Sequence, residues 1–105
     1  MTARTVRAFG RSWSHQQMHR LISTTIDEGW AVSVWRDVYY NDEVAEPILS
    51  DDVFVELYRL DIRPCITVRG QAKTIWLALC VAIESAADVR NREIYAGRWA
   101  KMEGE

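Results

Sequence analysis

Apolar residues recur at helical spacing in the first part of the chain, over about residues 15–28. Met18 and Leu21 lie on one face of this segment, among other apolar side chains. Ser14 stands directly before it and Gln17 follows three residues later, which is the pattern of a capping box. The segment is therefore predicted to be an amphipathic helix with one face in the core.

A second helical pattern covers residues 71–90 and is more apolar. Its hydrophobic stripe is wide, and residues 75–83 are all apolar. A helix of this kind is either covered on two sides or forms an interface, so a homodimer through residues 75–83 is one expectation. The apolar run is far shorter than the roughly 20 residues that span a bilayer, and no membrane segment is expected.

Residues 30–40, WAVSVWRDVYY, alternate in the way typical of a β-strand. Trp35 and Tyr39 stand on one face and are candidates for partner binding, because exposed aromatic residues often anchor interfaces. Burial of that face by the tail, through Tyr95 and Trp99, is the alternative. The residues on the other face, predicted to lie in the core, are Trp30, Val32, Val34, Val38 and Tyr40.

The next segment, NDEVAEPILSDD at residues 41–52, contains five acids and no base, and it is predicted to form an exposed loop. It lacks the glycine and terminal glutamate spacing of a calcium loop. A solvated loop and a contact surface for a basic partner are the two interpretations. Its candidate partner-binding residues are Asp42, Glu43, Glu46, Asp51 and Asp52.

Two shorter segments complete the predicted sheet. Residues 53–60 are compatible with a helix or a strand, and their valine, phenylalanine and tyrosine content favours the strand. Residues 65–69 form a short strand that Gly70 ends.

The order of these elements predicts an α+β fold. The simplest packing is a three-stranded antiparallel sheet with an N-terminal and a C-terminal helix covering it, in the order α-β-β-β-α. The length indicates a single domain over residues 1–105. Residues 1–12 are predicted to be a basic arm or edge strand, and residues 91–105 a tail.

The net charge of −2 conceals a strong asymmetry along the chain. Residues 1–26 hold four arginines and no acid, whereas residues 27–61 hold ten acids and two arginines. This layout favours oriented docking to a charged partner and argues against a protein that coats nucleic acid with a uniformly basic surface. The basic side chains that would contact nucleic acid in the alternative case are Arg4, Arg7, Arg11, Arg69 and Lys73.

Two histidines, His15 and His19, stand at the spacing of a zinc-binding helix. The residue after the first is Gln16, which cannot act as the general base of a zinc protease. Cys65 and Cys80 are too far apart for a zinc motif and are interpreted as small buried hydrophobic residues. The sequence therefore predicts packing histidines, no metal, no cofactor, no catalytic residues and a reducing cytoplasmic setting.

The chain resembles two families in the order of its elements. It resembles the double-stranded-RNA-binding domain in this order and in RGQAKTIWLAL, although only Lys73, with Arg69 nearby, stands where that family has a lysine cluster for phosphates. It is also similar to small phage-encoded α-β-β-β-α sandwich domains of unknown role, through DEGWAVSVW and VRGQAKTIWLALCVAI, over roughly residues 14–88. The second resemblance implies a phage or mobile-element protein that binds host machinery.

These observations predict a small non-enzymatic protein that acts by protein–protein binding. Its expected role is to inhibit or modulate host machinery, such as a defence system, through a partner with a basic surface. The alternatives are a nucleic-acid-binding module that uses the N-terminal arginines and a binder of nucleotides or other small molecules.

Overall fold

The computed structural model of the protein describes residues 4–41, 43–59, 61 and 65–95. Its α-helices and antiparallel strands form an α+β fold, which confirms the predicted class. In chain order the elements are β1 (Val6–Ala8), β2 (Arg11–Trp13), a 3-10 turn (His15–Gln17), α1 (Met18–Asp27), β3 (Ala31–Trp35), β4 (Val38–Asn41), β5 (Val44–Leu49), β6 (Val53–Arg59), β7 (Ile66–Ala72) and α2 (Ile75–Tyr95).

The central sheet is three-stranded and antiparallel, with strand order β3-β6-β7. Its strands come from the three segments predicted to be strands, and residues 53–59 adopt the strand that their composition favours. Two additional hairpins, β1–β2 and β4–β5, are absent from the predicted architecture, which therefore describes the fold only in part.

The start of the first helix follows the capping pattern. The side-chain Oε1 of Gln17 accepts a hydrogen bond from the backbone N–H of Ser14 at 3.0 Å. The first turn is a 3-10 turn, and the α-helix proper begins at Met18 and buries Leu21 on its inner face. It ends before Gly29, whose φ of 103° is a backbone conformation that glycine adopts at little cost.

The second helix lies directly on the sheet. Gly70 of β7 has no side chain where α2 crosses it, and a Cβ there would lie 2.0 Å from the carbonyl oxygen of Ala78. This close approach buries Leu79, Cys80 and Ile83 of α2 against the sheet. The core of the domain therefore forms between α2 and the inner face of β6 and β7.

The N-terminal residues close one side of this core. Val6 of β1 and Trp13 of β2 are buried in the same cluster as α2. The indole Nε1 of Trp76 donates a hydrogen bond to the carbonyl oxygen of Arg4 at 2.9 Å. Residues 6–13 thus belong to the packed domain rather than to an extended arm.

Several predicted boundaries need correction. Residues 44–49, predicted to lie in an acidic loop, form strand β5 and pair with β4. The strand predicted over residues 30–40 is interrupted between β3 and β4, and the second helix starts at Ile75 rather than Gln71. The helical backbone continues to Tyr95, into the segment predicted as a tail, and residues 96–105 lie outside the described residues.

Candidate protein-interaction site

Strands β4 and β5 continue the β3–β6 pairing outward as a two-stranded ribbon. The β3–β6 pairing ends with Trp35 opposite Phe54, and the β4–β5 pairing begins with Val38 opposite Leu49. In the part of the chain that the structure describes, no third strand pairs with β4 or β5. Residues 38–49 are called the ribbon below.

One face of the ribbon is apolar and exposed. Val38 lies opposite Leu49, and Tyr40 lies opposite Pro47. Residues opposite each other in an antiparallel pair share a face, so these four side chains form one patch. The exposed fractions are 75% for Tyr40, 56% for Leu49 and 55% for Val38. These four residues are called the ribbon patch.

The ribbon patch was not predicted from the sequence. The sequence pattern places Val34, Val38 and Tyr40 on the core face, and this prediction is wrong because all three side chains are exposed. Pro47 and Leu49 were assigned to the loop. The proline was an available signal, because a proline lacks the N–H that a neighbouring strand would bind and is therefore confined to edge strands, strand starts and bulges.

The other face of the ribbon carries the predicted aromatic residue Tyr39. It lies opposite Ile48, and its side chain is exposed. Glu46 lies where the register of the β4–β5 pair shifts, and its side chain is exposed. The ribbon therefore presents apolar side chains in both directions and an exposed acid on β5.

The base of the ribbon is held by hydrogen bonds between its two strands. The backbone N–H of Ser50 donates to the carbonyl oxygen of Asp37 at 2.8 Å, and the N–H of Asp37 donates to Ser50 Oγ at 3.0 Å. Ser50 Oγ also donates to the carbonyl oxygen of Asp52 at 2.8 Å. The indole Nε1 of Trp35 donates to Asp37 Oδ1 at 3.0 Å. These bonds fix the direction in which the ribbon leaves the sheet.

Trp35, predicted to be a partner anchor, is half-buried on the outer face of the sheet. Its ring stacks on Phe54 with centroids 5.6 Å apart, and the Arg69 guanidinium lies 5.2 Å from the Trp35 ring centroid. Arg69 also forms an ion pair with Glu56 at 3.1 Å. These contacts give Trp35 and Arg69 a structural role on the sheet surface.

The predicted acidic residues differ in their exposure to solvent. Asp52 accepts a hydrogen bond from Gln71 Nε2 at 2.7 Å and forms an ion pair with Lys73 at 3.0 Å. These two contacts lower the pKa of Asp52 below its ordinary value. The residues that face solvent are Glu43, Glu46 and Asp51, and Asp42 lies outside the described residues.

Most of the basic residues proposed for nucleic-acid contact already have acidic partners. Arg4 forms an ion pair with Glu84. Arg69 and Lys73 are engaged by the acids described above. Arg7 and Arg11 are exposed, and Arg11 lies 4.1 Å from the ring centroid of Trp13. The five residues therefore do not form one open basic surface.

The histidines and cysteines are separate from the ribbon. His15 stacks on Trp76 with ring centroids 5.8 Å apart, although it and His19 are exposed rather than semi-buried. Cys80 is buried as expected and burial raises the pKa of its thiol, whereas Cys65 is exposed. Among the described residues, no group of three or more metal-binding side chains is placed to hold an ion.

The segment proposed for homodimerisation packs largely within its own domain. Leu79, Cys80 and Ile83 are buried, whereas Ile75 is exposed and Leu77 is half-buried. The homodimer stays a prediction. None of the described helices is long and apolar enough to cross a membrane.

Comparison with protein-family models, with curated proteins and with solved structures finds no significant match. The functional conclusion therefore depends on the geometry of the chain itself.

Proposed function

We propose that this protein acts by binding another protein through its ribbon. The ribbon patch carries the proposal, because its apolar side chains lie side by side and are more than half exposed at the three positions Val38, Tyr40 and Leu49. Contiguous apolar surface with polar residues around it is characteristic of interaction sites.

The energetic case follows from the exposed area. Burial of a fully exposed Val, Leu or aromatic side chain stabilises by about 1.5–3 kcal/mol. Since Val38, Tyr40 and Leu49 are each more than half exposed, covering all three contributes roughly 3–5 kcal/mol to a complex. That contribution is large enough for Tyr40, the most exposed of them, to act as a central anchor.

The charge around the patch favours a basic partner. Residues 37–52 contain six acids and no base. Glu43, Glu46 and Asp51 are exposed there and produce a negative field that steers a positively charged surface towards the ribbon. The proposed partner is therefore a protein with a basic rim around an apolar pocket. In line with the phage-domain resemblance, we propose that this partner belongs to the host cell and that binding inhibits or modulates it.

The decisive experiment compares partner capture by matched variants. Immobilised protein is exposed to a bacterial lysate, and bound proteins are identified by mass spectrometry. Tyr40→Ala removes the proposed anchor, and Ile26→Ala removes an exposed apolar side chain on α1 as a control. The proposal requires a stoichiometric partner that the wild type and Ile26→Ala retain and Tyr40→Ala loses. With the purified partner, Tyr40→Ala should raise Kd about 30-fold, corresponding to about 2 kcal/mol.

A second pair of variants tests the role of charge. Replacement of Glu46 and Asp51 by the corresponding amides should slow association and flatten its dependence on salt concentration. The same replacements at Asp27 and Glu28, which are exposed at the end of α1, serve as the control. Equal capture by the wild type and Tyr40→Ala would refute the proposed site, and an unchanged salt dependence would refute the basic partner.

A further inference from the structure

We propose that the domain also holds a binding pocket for a small apolar carboxylate, at the end of the sheet away from the ribbon. A cavity of about 100 Å³ lies between the β1–β2 turn, the sheet and α2. Its walls include Phe9 of the turn, Trp30 and Leu57 of the sheet side, and Ile83 and Ala86 of α2. This site is independent of the proposed ribbon interface.

The register of the sheet places the cavity far from the ribbon. Trp30 directly precedes β3, and the ribbon begins after Trp35 at the opposite end of that strand. Strands rise about 3.3 Å per residue, so the two sites are separated by roughly 16 Å along β3. A ligand in the cavity therefore does not compete with a partner on the ribbon patch.

The lining residues determine the chemical class of the part of the ligand that lies inside the cavity. Thr25 is the only neutral polar residue in the lining that the structure describes, and its hydroxyl already donates to the carbonyl oxygen of Leu21 at 2.7 Å. The other uncharged residues of the lining are aliphatic or aromatic. A lining of this composition favours the apolar part of a ligand.

The volume of the cavity limits the size of the apolar part of the ligand. An engineered cavity of about 150 Å³ binds benzene, so 100 Å³ accommodates roughly four or five carbon atoms. Pockets for nucleotides and other drug-sized ligands are typically about 300 Å³ or larger. A nucleotide is therefore not the expected occupant of this site.

A basic side chain at the opening of the cavity favours an anionic group on the ligand. Arg7 is the one charged residue in the described lining, and it is exposed to solvent. No acid belongs to the described lining, and none occurs between residues 4 and 26 of the sequence. A carboxylate attached to an apolar body would face Arg7 while the body fills the cavity.

The conformation of Phe9 belongs to the turn that borders the cavity. Phe9 has a φ of 53°, and Gly10 follows with a φ of 77°, which together form a tight hairpin turn. The left-handed conformation costs a bulky residue about 1–2 kcal/mol relative to its ordinary backbone geometry. The hairpin turn requires this backbone geometry, and it places the aromatic ring of Phe9 in the lining of the cavity.

The test uses pentanoate as the probe and 1-pentanol as its uncharged match. Binding is followed by the NMR signals of the Trp30 indole and the Ala86 and Ala87 amides in the full chain. Ala87→Leu fills the mouth from an exposed helical position and should abolish binding of both probes, whereas Ala87→Ser should bind them like the wild type. Ala86→Val is a second filling variant, in case Ala87→Leu alters the fold.

The charge requirement is tested at the same site. Arg7→Gln should weaken pentanoate binding by about two- to five-fold and leave pentanol binding unchanged, as expected for a solvent-exposed ion pair. Arg11→Gln, on the same hairpin but outside the lining, should change neither. No signal change at the pocket with millimolar probe, or equal binding of the two probes with no effect of Arg7→Gln, would overturn the proposal. Neither outcome bears on partner capture by the ribbon.

Discussion

Substitution of Gly70 by alanine tests the packing that positions the whole site. A Cβ at this position would lie 2.0 Å from the carbonyl oxygen of Ala78 and 2.6 Å from the backbone nitrogen of Ala82. Both are backbone atoms of α2, so no side-chain rotation relieves the contact. Ordinary contacts begin near 3.4 Å, and α2 would have to move away by about 1.4 Å.

The cost of that movement follows from what α2 buries. A gap of 0.5–1 Å removes about a quarter to a half of the dispersion energy between facing atoms. Trp76, Leu79 and Ile83 are buried beneath the helix, and full burial of such side chains is worth about 1.5–3 kcal/mol each. Gly70→Ala should therefore lower the free energy of unfolding by about 3 kcal/mol. The total free energy of unfolding of a domain of this size is roughly 5–15 kcal/mol. At roughly 4 °C per kcal/mol, a loss of about 3 kcal/mol should lower the melting temperature by about 12 °C.

Two other glycines provide matched controls, and urea denaturation followed by circular dichroism measures all three variants. Gly10 has a φ of 77° and nothing within 4 Å of the added Cβ, so its alanine variant should lose only about 1 kcal/mol through backbone strain. At Gly29 the nearest atom is Nη2 of the flexible Arg59 side chain at 3.2 Å, so strain again dominates. A Gly70→Ala variant within about 0.5 kcal/mol of the wild type, or a larger loss at Gly10, would refute the reasoning.

Three further predictions concern other parts of the molecule. Because Cys65 is exposed and Cys80 is buried with a raised thiol pKa, a thiol reagent should modify one cysteine per native chain and two in denaturant. Ser50→Ala removes both side-chain hydrogen bonds at the base of the ribbon. It should speed amide hydrogen exchange in β4 and lower the free energy of unfolding by about 1 kcal/mol. The control variant Ser23→Ala on α1 should leave β4 exchange unchanged. The folded-state pKa of Asp52 is depressed, so it contributes stability above its unfolded pKa that is lost as pH falls through the folded pKa. Asp52→Asn should therefore flatten the decline in stability below about pH 5.

Each of these predictions has a result that contradicts it. Modification of both thiols in the native protein would place Cys80 at the surface. Unchanged β4 exchange in Ser50→Ala would mean that the backbone bond between Ser50 and Asp37 holds the ribbon alone. A pH profile of Asp52→Asn identical to that of the wild type would show that Gln71 and Lys73 do not act on the Asp52 carboxylate.

Local sequence signals predicted the elements that depend on neighbouring residues. The Ser14–Gln17 pair and the stop at Gly29 identified the first helix, because capping and left-handed backbone are properties of a few adjacent residues. The wide apolar stripe identified α2, and β-branched and aromatic content identified β6. Strand alternation also predicted that Trp35 stands on the face away from the core.

The candidate site was predicted only in part. The sequence identified Tyr39, which lies in the ribbon, and the acidic segment, most of which lies in the ribbon as well. The ribbon patch was missed, because Val38 and Tyr40 continue the same alternation that buries Trp30 and half-buries Val32. Alternation shows which residues share a face of a strand, but it does not show where the covering helix ends.

The sequence by itself determined the fold class, the capping pattern at the start of the first helix, the presence of the second helix and the asymmetric distribution of charge. Tertiary structure decided which apolar residues are covered, since α2 lies over β6 and β7 and the pairing of β4 with β5 extends beyond that cover. The tertiary structure also decided that Asp52, Arg69 and Lys73 form ion pairs within the chain. The physical reason is that burial and ion pairing depend on residues distant in sequence, which local periodicity does not encode.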